Sequence, residues 1–99
     1  MLHIVNKSHR QTSSLASCLR LARPGHALLL TEDAVFAATR SGAGSSGVAA
    51  ALGSLKVYAL APDVLARGMA GKLVDGVVEV GYDGFVDLVA EHPSNQTWL

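Results

Sequence analysis

The sequence has few of the residues that cross-link or stiffen a chain. One cysteine and three prolines occur in 99 residues, and aromatic residues make up 5%. A single thiol cannot form an internal disulfide, which excludes the disulfide-rich secreted domains and predicts a reducing, cytoplasmic location. No apolar run reaches the eighteen or so residues that a membrane span needs, and the first residues lack the basic flank of an export signal. We therefore expect a protein that is neither exported nor inserted into a membrane.

Charge is also scarce and evenly balanced. Charged residues make up 16% of the chain, with eight basic and eight acidic side chains, against roughly 25% in ordinary domains. This balance argues against direct nucleic-acid binding and against an acidic disordered chain, while an apolar fraction of 49% favours one folded domain over residues 1–99. So few charges on so small a domain predict that another chain covers part of the surface, and hence an oligomer.

Short apolar runs alternate with helical patterns along the whole chain. The second run is apolar at every position, which is typical of a strand buried on both faces of a parallel sheet. Alternation with long crossovers predicts an α/β, flavodoxin-like fold, with four to five parallel strands and helices on both faces. Function in such sheets usually lies beyond the carboxyl ends of the strands. The predicted strands are Leu2–Val5, Ala27–Leu30, Lys56–Leu60 and Val77–Val80, and the predicted helices are 15–23, 34–39, 48–52, 62–67 and 83–91.

The segment from Gly42 to Gly47 has the glycine spacing of a dinucleotide-binding fingerprint. That fingerprint works where it joins a first strand directly to a helix, so that backbone amides reach a pyrophosphate. Here the preceding residues have a helical pattern, and too little chain follows to complete such a domain. A flexible loop is therefore the preferred interpretation of Ser41 to Gly47, with a nucleotide-binding module as the alternative.

Neither the histidines nor the serines form a pattern that indicates a metal site or a hydrolase. Structural zinc needs four nitrogen or sulfur ligands, usually in close pairs, and the four histidines of this sequence share no such spacing. Ser8 and Ser13 lie near His9, but no nucleophile-elbow glycines surround them. The sequence predicts no metal and no cofactor.

Cys18 and Trp98 each leave two interpretations open. Cys18 lies on the same helical stripe as Leu15 and Leu19, which favours inert packing, although a thiolate is the strongest nucleophile available to this chain. Trp98 stands at the end of the chain, where it either packs on the sheet or anchors an interface.

Several short segments form a recognisable combination in a fixed order. They are Leu2 to Ser8, Ser17-Cys18-Leu19, Leu28 to Leu30, Glu32 to Ala38, Lys56 to Leu60, Asp63 with Ala66-Arg67-Gly68, Asp83 to Leu88, and Trp98-Leu99. Together, over nearly the whole chain, these segments resemble the TusB/DsrH family. Only the Gly/Ser segment and the residues before Trp98 diverge.

The resemblance implies a DsrE/F/H-type fold and a place in a heterohexamer with TusC-like and TusD-like subunits, or with DsrF and DsrE. In that family the complex relays persulfide sulfur. One branch exchanges sulfur with the carriers TusA and TusE for 2-thiolation of the tRNA wobble uridine, and the other serves dissimilatory sulfur oxidation.

The resemblance also implies a subunit without its own catalytic thiol. The active cysteine of the TusD-like relative lies near the end of a middle strand, a few residues before an Arg-Gly pair. The pair is present as Arg67-Gly68, but Leu60-Ala61-Pro62 occupies the neighbourhood of the cysteine. We expect a non-catalytic assembly subunit, with Cys18, where DsrH-type members also carry a cysteine, as the candidate sulfur site.

Overall fold

The computed structural model describes residues 1–99 and contains one five-stranded sheet in the order β4-β3-β2-β1-β5. Every neighbouring pair of strands is parallel. This arrangement confirms the predicted α/β class. The strands are β1 (Leu2–Val5), β2 (Ala27–Leu30), β3 (Lys56–Leu60), β4 (Val78–Val80) and β5 (Asn95–Trp98).

Six helical segments connect or flank these strands. Glycine ends two of them, since Gly47 has a φ of +88° after α2 and Gly68 has a φ of +70° shortly after α4, a conformation that costs glycine little. The segments are α1 (Ser14–Leu21), a 3₁₀ helix (Glu32–Ala38), α2 (Ala43–Ser46), α3 (Val48–Ala51), α4 (Ala61–Ala66) and α5 (Tyr82–Glu91).

The two faces of the sheet are covered to different depths. On the first face, which carries Val5, Leu28 and Val57, a cluster of 12 buried residues joins the strands to α1, the 3₁₀ helix, α2 and α3. On the second face, only four buried residues form the cluster, and Leu88 of α5 is the only one of them from a helix. Strand β2 is completely buried at all four positions, as its apolar run predicted.

The predicted Gly/Ser loop is wrong, because part of it is the helix α2. The Ser46 hydroxyl donates to the Ala37 carbonyl at 2.8 Å and accepts the Val48 N–H at 3.2 Å. Ala43 is also buried in the first-face cluster. Composition favoured a loop, but these buried contacts stabilise a turn of helix that the small residues would not form alone.

Strand β5 lies outside the predicted strands, and β4 begins one residue later than predicted. The polar run Asn95-Gln96-Thr97 has no strand pattern of its own. It forms a strand because it pairs in parallel with β1, where Leu2 is opposite Asn95 and Val5 is opposite Trp98. An exposed edge strand needs few apolar residues, so its sequence carries little signal.

Candidate functional site

Charged side chains connect the carboxyl ends of β2 and β3. Arg67 Nε lies 2.9 Å from Asp33 Oδ1, and its Nη1 lies 3.8 Å from Asp63 Oδ1. Asp63 also accepts the Glu32 N–H at 2.7 Å. Because Glu32 has a φ of +50°, which is uncommon for a residue with a Cβ, this hydrogen bond stabilises a turn that is otherwise unfavourable. Arg67 of the Arg-Gly pair therefore joins two connections of the fold.

The strand end that resembles the thiol position of the TusD-like relative holds no nucleophile. Leu60 is 5% exposed. Ala61 and Pro62 form the first turn of α4, where proline is favoured because its missing N–H would have no helical partner. An apolar strand end and a proline turn therefore occupy this position.

A cavity of about 320 Å³, lined mostly by polar residue types, lies beyond the carboxyl end of β1. Its walls come from the β1–α1 connection and from the 3₁₀ helix and the turn after it, and Met69, which follows α4, completes them. The lining residues are Ser8, His9, Arg10, Phe36, Thr39, Ser41, Gly42 and Met69. This position agrees with the expectation that function lies beyond the carboxyl ends of the strands. The lining residues include hydroxyls and one guanidinium, but no thiol and no carboxylate.

The surroundings of His9, which lines this cavity, disfavour its charged form. Burial, followed by the charge of Arg10, lowers the pKa of its imidazole. Both ring nitrogens are buried and have no protein hydrogen-bond partner. The neighbouring Ser8 hydroxyl accepts a hydrogen bond from the backbone N–H of Arg10 at 3.2 Å and so stabilises the turn. The arrangement does not pair Ser8 with His9 as nucleophile and base.

Cys18 lies in the first-face core and does not line the cavity. Its side chain is completely buried, in a cluster that includes Leu15 and Leu28. Burial raises the pKa of the thiol to about 11. A thiol transfers sulfur as a thiolate that a partner can reach, so the folded arrangement opposes both requirements.

We expect Cys18 to react with iodoacetamide at pH 8 at least about a hundredfold more slowly in the folded protein than in urea, because burial suppresses the thiolate. Mass spectrometry of timed samples measures the two rates. A matched control is the Leu21→Cys, Cys18→Ala variant, because Leu21 lies on the same helix and is 66% exposed. Native Cys18 that labels as fast as this control would contradict the packing assignment.

Three side chains that the sequence did not connect form a hydrogen-bonded chain. Trp98 Nε1–H donates to His3 Nδ1 at 3.2 Å, so His3 carries its proton on Nε2. That proton is donated to His26 Nδ1 at 3.0 Å, which also accepts the Arg23 N–H at 3.2 Å. Both imidazoles are therefore neutral. The pairing of β1 with β5 brings His3 and Trp98 together, and the sequence pattern gave no signal of that pairing.

The hydrogen bonds between Trp98, His3 and His26 predict that acid destabilises the protein. Burial lowers the pKa of His3, and repulsion from a protonated His26 and from the N-terminus lowers it further. The pKa of His26 is lowered as well, first by burial and then by the charges of the N-terminus, Arg23 and His92. A lowered folded-state pKa means that the unfolded chain binds protons first, so stability is complete above the ordinary value of 6.5 and falls as the pH decreases below it.

We expect the free energy of unfolding to decrease between pH 7.5 and pH 5, with at most about 1.4 kcal/mol per pH unit from His3. Urea titrations at a series of pH values measure this slope. In His26→Asn, the side-chain oxygen replaces Nδ1 as acceptor without titrating, so the slope should be shallower. The same slope in both proteins would show that the histidine chain does not cause the acid sensitivity.

The other site classes considered from sequence have no matching constellation in the structure. No group of three or more His, Cys, Asp and Glu side chains could hold a metal ion. The Gly/Ser segment follows a 3₁₀ helix and not a strand, so the strand–turn–helix geometry of the dinucleotide fingerprint is missing. No helix combines the length and apolar character needed to cross a membrane.

The fold and the strand ends define the class of the protein as a small parallel α/β domain whose only thiol is buried. The DsrH family model, described as "DsrH like protein", matches residues 7–95. The chain therefore belongs to the TusB/DsrH family. It is 37% identical over 98 residues to Protein TusB of Escherichia coli K12, covering 99% of this chain and all of that protein. Protein TusB of Pectobacterium carotovorum is 39% identical over 99 residues, covering 99% of this chain and all of that one.

Two solved structures share this fold at lower sequence identity. The Escherichia coli ychN protein matches with a TM-score of 0.74 and 20% identity, over 98% of this chain and 97% of that one. The protein MTH1491 from Methanobacterium thermoautotrophicum, whose function is unknown, matches with a TM-score of 0.74 and 22% identity, over 97% of this chain and 95% of that one. Both matches support the five-stranded parallel architecture.

Proposed function

We propose that this chain is the TusB-type subunit of a heterohexameric sulfur-relay complex in the cytoplasm, where it assembles with TusC-like and TusD-like subunits. In this proposal the complex receives persulfide sulfur from a TusA-like carrier and passes it to a TusE-like carrier. The sulfur is used for 2-thiolation of the wobble uridine of tRNA. Similarity to TusB proteins along the whole chain supports a role as a sulfur-relay subunit.

The burial of the only thiol supports a non-catalytic role in that complex. A persulfide relay needs a sulfur atom that donor and acceptor can both approach, and Cys18 is completely buried. The strand end that resembles the thiol position of the TusD-like relative carries Leu60, Ala61 and Pro62 instead. In our proposal the chain supplies packing surface that positions the sulfur-bearing subunit, a role that requires no ionisable group of its own.

A second candidate is the DsrH subunit of a DsrEFH complex in dissimilatory sulfur oxidation. The observations that favour it are the match to the DsrH-like family model and the cysteine at position 18. In this alternative Cys18 carries sulfur, which would require α1 to move away from the sheet and expose the thiol.

Deletion of the gene, followed by complementation with wild-type or Cys18→Ala copies, tests the proposal. We expect deletion to lower 2-thiouridine in the tRNAs that carry it, because the sulfur-bearing subunit loses its scaffold. The Cys18→Ala copy should largely restore the modification, since alanine preserves most of the packing. Mass spectrometry of digested tRNA measures the modified nucleoside, and purification of the complex from each strain reports assembly.

Two outcomes would contradict parts of this proposal. If thiolation is unchanged on deletion while growth on reduced sulfur compounds fails, the DsrH alternative replaces the tRNA assignment. If Cys18→Ala behaves like the deletion although the complex assembles normally, the non-catalytic role is wrong and Cys18 acts in transfer.

A further inference from the structure

Helix α5 presents an apolar strip to solvent. Tyr82, Val86 and Val89 follow one another at helical spacing and are 62%, 64% and 38% exposed. A shallow groove of about 300 Å³ on the same helix is lined only by Phe85, Val86, Val89 and Ala90. Contiguous apolar surface of this kind typically marks an interaction site.

An unbroken row of acids borders this strip. Asp83, Asp87 and Glu91 are spaced four residues apart on α5, and all three are exposed. None of them forms an ion pair, because the two ion pairs of the protein both involve Arg67. Residues 73–99 contain five acidic residues and neither lysine nor arginine. The acids of this helix therefore have no ion-pair partner within the chain.

The strip lies over the second face of the sheet, which has fewer buried residues than the first face. Leu88 and Phe85 of α5 pack on the second face of the sheet, where Ile4 and Tyr58 remain only partly buried. The opposite face has three times as many buried residues beneath several helical segments. A further layer packed against α5 would remove more apolar surface from water.

The negative charge of the acidic row beside the strip indicates which kind of partner binds there. A two-fold pairing of two copies through this strip would bring both acidic rows into one interface with no lysine or arginine from α5, and like charges in one interface are costly. We infer that the α5 strip is the surface that receives a different subunit, one with an apolar patch bordered by lysine or arginine. This inference rests on the proposed function, because it takes that subunit to be the TusC-like or TusD-like member of the complex.

Co-expression with the TusC-like and TusD-like subunits tests the apolar part of the interface. We expect Val86→Asp to weaken assembly at least about tenfold, since a charge at the centre of the patch would be buried without a partner. The matched control is Leu21→Asp, because Leu21 has almost the same exposure, 66%, and lies on the helix that covers the first face. Circular dichroism and urea unfolding of each variant report folding separately from assembly.

A charge-reversal variant tests the acidic border. We expect the wild-type complex to weaken about tenfold between 50 mM and 500 mM NaCl, because salt screens rim charges. Asp83→Lys/Asp87→Lys should assemble more weakly at low salt and lose this salt dependence. Affinities measured by biolayer interferometry at the two salt concentrations give both values.

Failure of this inference is distinguishable from failure of the proposed function. If the wild-type chain binds neither subunit, the proposed function is wrong and the interface assignment fails with it. If wild type and Val86→Asp assemble equally well while Leu21→Asp does not, the complex exists and its interface lies on the first face. If the chain alone forms a dimer that Val86→Asp abolishes, the occupant is a second copy and the inferred partner is wrong.

Discussion

Replacement of Gly42 by alanine is expected to destabilise the protein by about 3 kcal/mol, because the new methyl group would overlap backbone that cannot move freely. A Cβ at this position would collide with the carbonyl oxygen of Phe36 and lie 3.0 Å from the Thr39 hydroxyl. The same carbonyl accepts a hydrogen bond from that hydroxyl at 2.8 Å, and the Gly42 N–H donates to Thr39 Oγ1 at 3.1 Å. Relief of the collision would disrupt this buried turn.

Gly44→Ala is the matched control, two residues further along the same segment. A Cβ on Gly44 would meet nothing within 4 Å, and the residue lies inside α2. Alanine there should be neutral or stabilise by up to about 1 kcal/mol, as expected from helix propensity. Urea unfolding of the two variants compares them directly. Equal tolerance of alanine at both positions would mean that this segment is the flexible loop that composition suggested.

Trp98→Ala is expected to cost about 2 to 4 kcal/mol, somewhat less than a fully buried tryptophan, because Trp98 is only partly buried. Its ring packs against the first-face cluster, and its N–H is the donor for His3 Nδ1. Truncation removes this packing, and it also leaves His3 Nδ1 without a donor. His3 is only 2% exposed, so water cannot easily replace that donor. Strand β5 should therefore separate from β1 more easily.

Trp98→Phe separates these two contributions. Phenylalanine retains most of the apolar packing but lacks the N–H donor, so the expected cost is about 1 kcal/mol. Urea unfolding followed by far-ultraviolet circular dichroism measures both variants. Hydrogen exchange should show loss of protection in β5 for Trp98→Ala. Wild-type stability in Trp98→Ala would mean that the tryptophan acts only as an interface anchor.

The histidines show where inference from sequence stops. Each one taken alone gave no ligand spacing, and no metal site was predicted. His3 and Trp98 are 95 residues apart, and they meet because β5 crosses to the far side of β1. A pattern read along the chain could not place them together, since that edge strand has neither alternation nor an apolar run. The acid sensitivity predicted here therefore depends on tertiary structure.

The sequence by itself determined the α/β class and the first three strands, and it favoured a packing position for Cys18 without excluding a sulfur site. These features follow from apolar runs and helical spacing, which report burial at each position directly. Its segments also indicated the family that the full-length similarity confirms. Only the tertiary structure decided the fifth strand, the helix within the Gly/Ser segment, the histidine–tryptophan chain and the exposed strip on α5. Each of these depends on groups far apart in the chain, because pairing, buried hydrogen bonds and uncovered surface exist only after the elements have packed.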